Sequence, residues 1–410
     1  MDSITQMVLG AACGEAVLGK KIGNKALVWG AVAGTIPDLD VMANFFMGEL
    51  DSLAFHRGPM HSLLFAGLMP FLLSWLVLKF YKSGIYNNHY YKKISFVLAS
   101  LLFIAIAGIL SFLVIYLVQW NGIFVPILLT IGLFFLIKTI YNNYVCKKQD
   151  APSASYFEWT GLFFLSIVTH PLLDAFTTFG TQLFWPFSNY RVAISNIAIL
   201  DPIYTLPFLG TVIACGFFDK SDRRRSQINW IGICVSSAYM MGTLITKNHV
   251  DQVMKMSLEK QHIQVDQSMS CPTILNNILW FAIAKKDTSY YCGYYSIFDK
   301  EAKIDSLYRI DQNKKLLAPY IQQKSLQILT WFSADYYNAI EMGNDKIQYN
   351  DLRYGTFSFR FDRPKDYIFH FNLVKIGNEL QVSSERERPV QSRAELIQFW
   401  NRIKGYKMKK

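Results

Sequence analysis

Three short segments of this chain place metal-ligand side chains next to long apolar runs. Two of them are residues 56–61, His-Arg-Gly-Pro-Met-His, and residues 170–174, His-Pro-Leu-Leu-Asp. The third, Pro37-Asp38-Leu39-Asp40, ends another apolar run with two carboxylates. Because imidazoles and carboxylates are costly to place near hydrocarbon, such residues usually mark a functional site. Both groups are ligands for zinc and similar divalent ions, so the segments predict a metal site.

The segment at 170–174 has the spacing of two ligands on one helix face. His170 and Asp174 are four residues apart, so both side chains point to the same side of a helix. Pro171 is typical of a first helical turn, which predicts that His170 lies at a helix start open to water. An isolated pair with this spacing is more often a helix cap or a core histidine with an incidental aspartate. The prediction that it binds a metal therefore depends on the other segments.

The segment at 56–61 places two imidazoles on either side of a turn. The residues Arg57-Gly58-Pro59 bend the chain, so His56 and His61 can approach one point. Arg57 can hold a phosphate or a carboxylate with two parallel hydrogen bonds. The alternative is an exposed loop at the membrane interface.

The two aspartates at 38 and 40 depend on the local conformation. In an extended segment alternate side chains face opposite ways, so only one of Asp38 and Asp40 can reach a metal there. In a turn both can reach the same centre. The alternative is helix capping.

Further along, Arg191 ends the segment Trp185-Pro186-Phe187-Ser188-Asn189-Tyr190-Arg191 and can bind an anionic head group or act as an interfacial anchor.

The composition is that of a membrane protein, with 52% hydrophobic and 17% charged residues. Several apolar runs are long enough to cross a bilayer. The clearest predicted spans are residues 62–80, 94–118 and 122–140, and the weaker ones are 158–178, 205–218 and 228–245. Residues 3–19 and 25–36 are predicted to form a tight helical hairpin, because Gly10 and Gly14 permit close helix contact.

Lys and Arg outnumber Asp and Glu by 41 to 30, and basic clusters lie in four loops beside the apolar runs. If all four loops are cytoplasmic, the spans alternate without conflict. The three ligand segments, the tip at Trp120-Asn121 and the residues after 250 then share the outer face. Glu15 falls near the cytoplasmic end and is not assigned to the site. No basic stripe alternates with aromatic residues, so no nucleic-acid partner is expected.

The predicted fold class is an all-α polytopic membrane domain, residues 1–249, followed by a smaller α+β extracytoplasmic domain, residues 250–410. The second region has mixed charge and no membrane-length apolar run. Its predicted strands are 290–298, 354–361 and 367–374. One helix is predicted at 319–337. A second helix is predicted to begin at a capping box formed by Ser392 and Glu395 and to run to Arg402. Cys271 and Cys292 can pair in an oxidising compartment, a question that the sequence leaves open.

The order of these motifs resembles the YdjM-like family of inner-membrane metal-dependent hydrolases, also described as LexA-binding, membrane-associated hydrolases. The resemblance covers roughly residues 1–245, and it is carried by Ile4-Thr5, Pro37-Asp38-Leu39-Asp40, His56 to Ser62, His170 to Asp174, Trp185-Pro186-Phe187, Arg191 and Asp201-Pro202-Ile203-Tyr204. It implies a multi-pass protein of the bacterial inner membrane with hydrolytic activity. The chain departs from the pattern at Gln6, where many members have His, so a ligand is missing or is replaced by Gln6 or water.

The spacing of His170 and Asp174 is also similar, more distantly, to that of zinc-dependent phospholipase C and its nuclease relatives, which implies phosphoester hydrolysis. The expected function is therefore a membrane-bound hydrolase for an ester or phosphoester of a lipid or envelope substrate. The expected ligands of a divalent metal, zinc in the first place, are Asp38, His56, His61, His170 and Asp174. Asp40 is expected as a further ligand, a support for the ligands or a general base, and Arg57 and Arg191 as the groups that hold an anionic substrate.

The alternative is a non-enzymatic membrane transporter, or an envelope scaffold or partner-binding protein, with a structural metal site. An open coordination position beside a groove favours hydrolysis, because catalytic zinc sites keep one position free for water or substrate.

Overall fold

The computed structural model describes residues 1–118, 124–304, 306–343, 345–377, 379–383 and 393–407. The chain divides into two compact units, one formed by Met1–Pro70 and Gly161–Lys410 and the other by Phe71–Thr160. The helices that precede the first strand are α1 (Ser3–Ile22), α2 (Asn24–Thr35), α3 (Glu49–Phe55), α4 (Leu63–Lys82), α5 (His89–Val118), α6 (Phe124–Ile140), α7 (Tyr156–Asp174), α8 (Pro202–Cys215) and α9 (Arg223–Glu259). The predicted tip at Trp120-Asn121 lies outside the described residues.

Three described helices are long and apolar enough to cross a membrane: Leu63–Lys82, Phe124–Val145 and Arg223–Glu259. A fourth candidate is the bent pair formed by α2 and the 3₁₀ helix Pro37–Phe45, which meet at 45°. Helices α4 and α6 and the middle of α9 lie where spans are predicted at 62–80, 122–140 and 228–245. Helix α8, which overlaps the span predicted at 205–218, has only 14 residues, fewer than the roughly 20 that cross a bilayer. Helix α9 continues through the domain boundary predicted at residue 249 and ends at Glu259.

Helices α1 and α2 form the predicted hairpin, and glycines bring their backbones into contact. A Cβ atom added at Gly10 would lie 2.4 Å from the carbonyl oxygen of Gly30, and one at Gly14 would lie 3.0 Å from Gly30 Cα. Gly23 turns the chain between the helices with a φ of 62°, a conformation that only glycine adopts without strain. The hairpin therefore has no room for side chains along its contact line.

We expect Gly10→Ala to destabilise the hairpin by about 1–3 kcal/mol, the usual cost of overpacking. The matched control is Gly67→Ala in α4, because a Cβ atom there meets no atom within 4 Å. Thermal unfolding of the purified protein measures both variants. Equal melting temperatures for the two variants would contradict the close contact.

The C-terminal region contains two four-stranded antiparallel sheets, each with its strands in sequence order. The first contains β1 (Gln267–Pro272), β2 (Leu279–Lys286), β3 (Ser289–Ser296) and β4 (Tyr308–Asp311), and the second contains β5 (Tyr337–Gly343), β6 (Lys346–Asp351), β7 (His370–Ile376) and β8 (Glu379–Val382). Helix α10 (Lys324–Phe332) lies between the sheets in sequence, and α11 (Arg393–Ile403) follows them. Apolar and aromatic side chains from each sheet form its buried core.

The sequence predictions for this region are confirmed in part. Strands β3 and β7 lie where strands are predicted at 290–298 and 367–374. The strand predicted at 354–361 is wrong, because a 3₁₀ turn at Leu352–Tyr354 leads into Gly355, which has a φ of 68° that an extended strand excludes. The helix predicted at 319–337 is shorter, since Ala334 and Asp335 adopt positive φ and end it before β5.

The predicted cap of α11 at Ser392 lies outside the described residues. Cys271 and Cys292 are both free thiols. They lie on β1 and β3, which are separated by β2, so no disulfide joins them.

Candidate metal centre

Three elements of the first unit bring the predicted ligand segments together. The 3₁₀ helix Pro37–Phe45 carries Asp38 and Asp40, so the segment is a turn rather than an extended strand. The short 3₁₀ helix Pro59–His61 carries His61. The last turn of α7 carries His170 and Asp174.

The position predicted for His170 at the start of a helix is wrong. The apolar residues before it form α7, and Pro171 lies inside the last turn of that helix. The side chains of His170 and Asp174 still face each other as predicted, with 3.6 Å between His170 Nε2 and Asp174 Oδ2. Both side chains are buried rather than open to water.

Asp38, His61 and His170 form a group that could hold a metal ion. The Nε2 atoms of the two imidazoles are 3.1 Å apart. Asp38 Oδ1 lies 3.4 Å from His170 Nε2 and 3.7 Å from His61 Nε2. Ligands about 2.1 Å from a tetrahedral zinc ion are about 3.4 Å from one another. The spacing of the three donor atoms therefore fits one face of a zinc coordination shell.

The outer nitrogen of each imidazole lies close to an acceptor oxygen. His170 Nδ1 donates to the carbonyl oxygen of Gly34 at 2.5 Å, because a carbonyl can only accept. His61 Nδ1 lies 3.1 Å from Asp40 Oδ2. These contacts leave both Nε2 atoms free to bind a metal, the arrangement that is usual for histidine ligands. Asp40 therefore lies behind His61 and supports it.

Asp174 lies beside the imidazoles and is shared among several partners. Its Oδ2 atom is 3.3 Å from His61 Nε2 and 3.2 Å from Arg57 Nε. Its Oδ1 atom accepts hydrogen bonds from Gln6 Nε2 at 3.0 Å and from the amino group of Met1. Its assignment as a metal ligand stays a prediction, as does that of His56.

His56 lies outside the group of three, on the far side of Asp40. Its Nδ1 atom contacts Asp40 Oδ1 at 2.8 Å, and its ring centroid is 6.1 Å from that of His61. The side chain of His56 is 32% exposed, whereas that of His61 is fully buried. Of the two imidazoles, that of His56 is therefore the one that reaches solvent.

Gln6 reaches the site from α1. Its Nε2 atom donates to Asp174 Oδ1 and, at 3.2 Å, to the carbonyl oxygen of His170. Its Oε1 atom is buried without a hydrogen-bond partner among the described residues. Unpartnered buried polar atoms are rare, so this one fits a site that takes a further polar group. The donor set of two imidazoles and a carboxylate suits a divalent metal, and the unpartnered Gln6 oxygen beside it is consistent with such a site.

The electrostatics of the site favour a positive charge between the imidazoles. Burial alone lowers the pKa of His61, but its contacts with Asp174, Asp38 and Asp40 raise that pKa to about 10. The carboxylates thus attract a cation to this point, either a proton or a metal ion.

We expect Asp40→Asn to weaken zinc binding about 10- to 100-fold, the usual effect of losing the acceptor behind a histidine ligand. Asparagine keeps the size of the side chain but loses its charge. Competition with a fluorescent zinc chelator measures the affinity, and Asp362→Asn, at an exposed aspartate paired with Arg360, is the control. An affinity for zinc equal to that of the wild type would exclude Asp40 from supporting His61.

The N-terminal helices and the metal-ligand group define the class of this molecule, a protein with candidate membrane spans and a largely buried group of potential metal ligands. A family model described as YdjM inner membrane protein matches residues 1–250, so the chain belongs to this family. Membership and the apolar helices together support a location in a membrane. No curated protein and no solved structure matches the chain.

Proposed function

We propose that this protein is a metal-dependent hydrolase of the bacterial inner membrane that acts on an ester or phosphoester. The observation that carries the proposal is the group of Asp38, His61 and His170, which offers three protein donors at zinc spacing. Catalytic zinc sites have three protein ligands and keep a further position for water or substrate. A zinc ion held there supplies a water of lowered pKa and a Lewis acid for a carbonyl or phosphoryl oxygen.

The residues around this group have separate tasks in the proposed reaction. Gly34 and Asp40 orient the two imidazoles. Asp40 also contacts His56, whose partly exposed ring can pass a proton between the site and solvent. We therefore assign the role of general base, expected at Asp40, to Asp40 acting together with His56. Arg57 and Arg191 both stack on the ring of Phe179 and are assigned to an anionic group of the substrate.

Exposed aromatic residues near the site support a lipid substrate. Phe45, Phe46 and Phe187 are 81%, 85% and 87% exposed. The loop that carries Phe187 is joined to the first turn of α4, since Leu63 N donates to the carbonyl oxygen of Leu183 at 2.9 Å. Because α4 is a candidate span, its first turn lies near the membrane surface. Large apolar side chains at that depth contact lipid.

The proposed topology is multi-pass, with the metal site and the C-terminal region on the outer face. The distribution of basic loops supports it. Reporter fusions after residue 250 test it directly. We expect activity of a periplasmic reporter and none of a cytoplasmic one, and the reverse result would move the site to the inner face.

Hydrolysis is tested with zinc-loaded protein in nanodiscs and a panel of phospholipids, phosphomonoesters and carboxylic esters. We expect turnover of at least one lipid, and a loss of at least about 100-fold in His61→Ala, because the metal position is then incomplete. The control is His262→Ala, at an exposed histidine outside the site. Turnover that is unchanged in His61→Ala, or absent from the whole panel with zinc bound, would refute the proposal.

One contact favours a second candidate, a structural metal site. Asp174 Oδ2 lies 3.3 Å and 3.6 Å from the two Nε2 atoms, as near to them as Asp38 is. If Asp174 completes a closed shell of four protein ligands, the metal stabilises a transporter or scaffold instead of activating water.

A further inference from the structure

Arg191 carries a positive charge that no carboxylate pairs among the described residues. Its three nitrogens donate to the carbonyl oxygens of Phe179, His56 and Gly180 at 3.1, 3.3 and 3.2 Å. In contrast, Arg57 pairs with Asp174 and Arg353 with Asp351. A partly buried guanidinium without an anion is costly, so this one is suited to bind an anionic ligand.

Aromatic rings from both parts of the chain surround Arg191. Its Cζ atom lies 4.6 Å from the ring centroid of Phe179, 5.3 Å from that of Trp331 and 5.4 Å from that of Phe332. Phe179 follows α7, whereas the other two belong to α10, beyond the residues that the family model matches. The cation is thus held by stacking against rings that the C-terminal region supplies.

The C-terminal region also fixes the loop that carries Arg191. Trp331 Nε1 donates to the carbonyl oxygen of Asn189 at 3.1 Å, two residues before Arg191. Arg353 Nη1 donates to the carbonyl oxygen of Thr178, one residue before Phe179, at 3.4 Å. Both the arginine and the ring beneath it are therefore anchored from outside the family-matched part.

Two further guanidinium groups, each paired with an aspartate, stack on the same cluster of rings. Arg57 Cζ lies 4.9 Å from the centroid of the same Phe179 ring, and Arg353 Cζ lies 5.0 Å from that of Phe332. Burial, and after it the charges of Arg57 and Arg353, lower the pKa of Arg191 to about 9. Arg191 donates to the backbone of His56, and Arg57 Nε lies 3.2 Å from Asp174 Oδ2, so this group of arginines lies beside the metal centre.

We propose that the C-terminal region completes an oxyanion-binding site beside the metal centre, in which Arg191 binds the anion and Trp331 positions Arg191. The ligand is a phosphoryl or carboxylate group that accepts hydrogen bonds from the guanidinium. The inference rests on the proposed function only in taking this anion to be part of the substrate. It assigns a task to a region that the family model does not cover.

The test is calorimetric titration of inorganic phosphate into zinc-loaded full-length protein in phosphatidylcholine nanodiscs, with the zinc content measured for each variant. We expect Arg191→Met to weaken phosphate binding about 10-fold or more, as for a lost charged hydrogen bond. Trp331→Ala is expected to weaken it about fivefold, and Trp331→Phe, which keeps a ring but loses the indole N–H, to restore part of it. Trp400→Ala, at an exposed tryptophan in α11, is the control and is expected to bind as the wild type does.

Phosphate binding by Trp331→Ala that equals the wild type would overturn the inference, as would a wild type that holds zinc and binds no phosphate. Phosphatidylglycerol in the nanodiscs identifies the source of the anion: competition assigns it to a lipid head group, and unchanged affinity to a free phosphoryl group. Phosphate binding that depends on Trp331 without any hydrolysis would leave this site standing and refute the proposed function.

Discussion

Replacing His170 with alanine is expected to reduce bound zinc from one equivalent to less than about a tenth of one at micromolar zinc, because three protein donors become two. His170 is buried, and its Nε2 atom lies 3.1 Å from that of His61. No other imidazole among the described residues approaches both His61 and Asp38 in this way. Elemental analysis of the purified protein after dialysis measures the effect.

His262→Ala is the matched control, since it removes an exposed imidazole from the same chain. The helix content of His170→Ala, measured by circular dichroism, separates loss of a ligand from loss of fold. Zinc retained at one equivalent by a folded His170→Ala variant would remove His170 from the site.

Glu15→Ala is expected to destabilise the protein by about 3–5 kcal/mol, because it leaves the Arg225 guanidinium buried without its partner. Arg225 in α9 donates to both carboxylate oxygens of Glu15 in α1, at 2.7 and 2.6 Å. Each side chain of the pair is only 2% exposed. Arg225 also donates to Asn24 Oδ1 and to the carbonyl oxygen of Phe218, so the pair joins the hairpin to α9 and to the turn that follows α8.

Chemical unfolding in detergent measures this free energy, and the double variant Glu15→Leu with Arg225→Leu is the control. Removing both charges is expected to cost much less than removing Glu15 alone, since no unpaired charge then stays buried. A double variant as unstable as the single one would show that the helices depend on the shape of these side chains and not on their pairing. A single variant within about 0.5 kcal/mol of the wild type, the range of neutral surface changes, would contradict the buried pair altogether.

The chemistry of the site is predictable from residue types, whereas much of its geometry is not. Ligand spacing and the charge of the loops are enough to predict that Asp38, His61 and His170 lie close together. The support from the Gly34 carbonyl is not predictable in this way, because a backbone acceptor leaves no mark of its own in a sequence. The only indirect indication of this acceptor is the set of glycines in the hairpin, because glycines leave the backbone open to neighbouring groups.

Glu15 shows how partner identity limits such reasoning. Its position in an apolar helix marks it as unusual, but the partner, Arg225, lies 210 residues away along the chain. Arg225 belongs to a basic loop cluster whose other members are typical of a membrane boundary. Nothing local distinguishes the arginine that turns inward from its neighbours at 223 and 224.

The C-terminal region is the least predictable part. Strands β3 and β7 carry enough aromatic and β-branched residues to be recognised, whereas β5 and β6 depend on tertiary pairing. The position of Trp331 against Arg191 depends on contacts between segments about 140 residues apart, which local patterns do not encode.

Zinc K-edge X-ray absorption of the zinc-loaded full-length protein tests the central claim most directly. The metal centre predicts two imidazole nitrogens and at least one carboxylate oxygen at about 2.0–2.2 Å from zinc. A sulfur ligand at about 2.3 Å, or a first shell without imidazole, would contradict it.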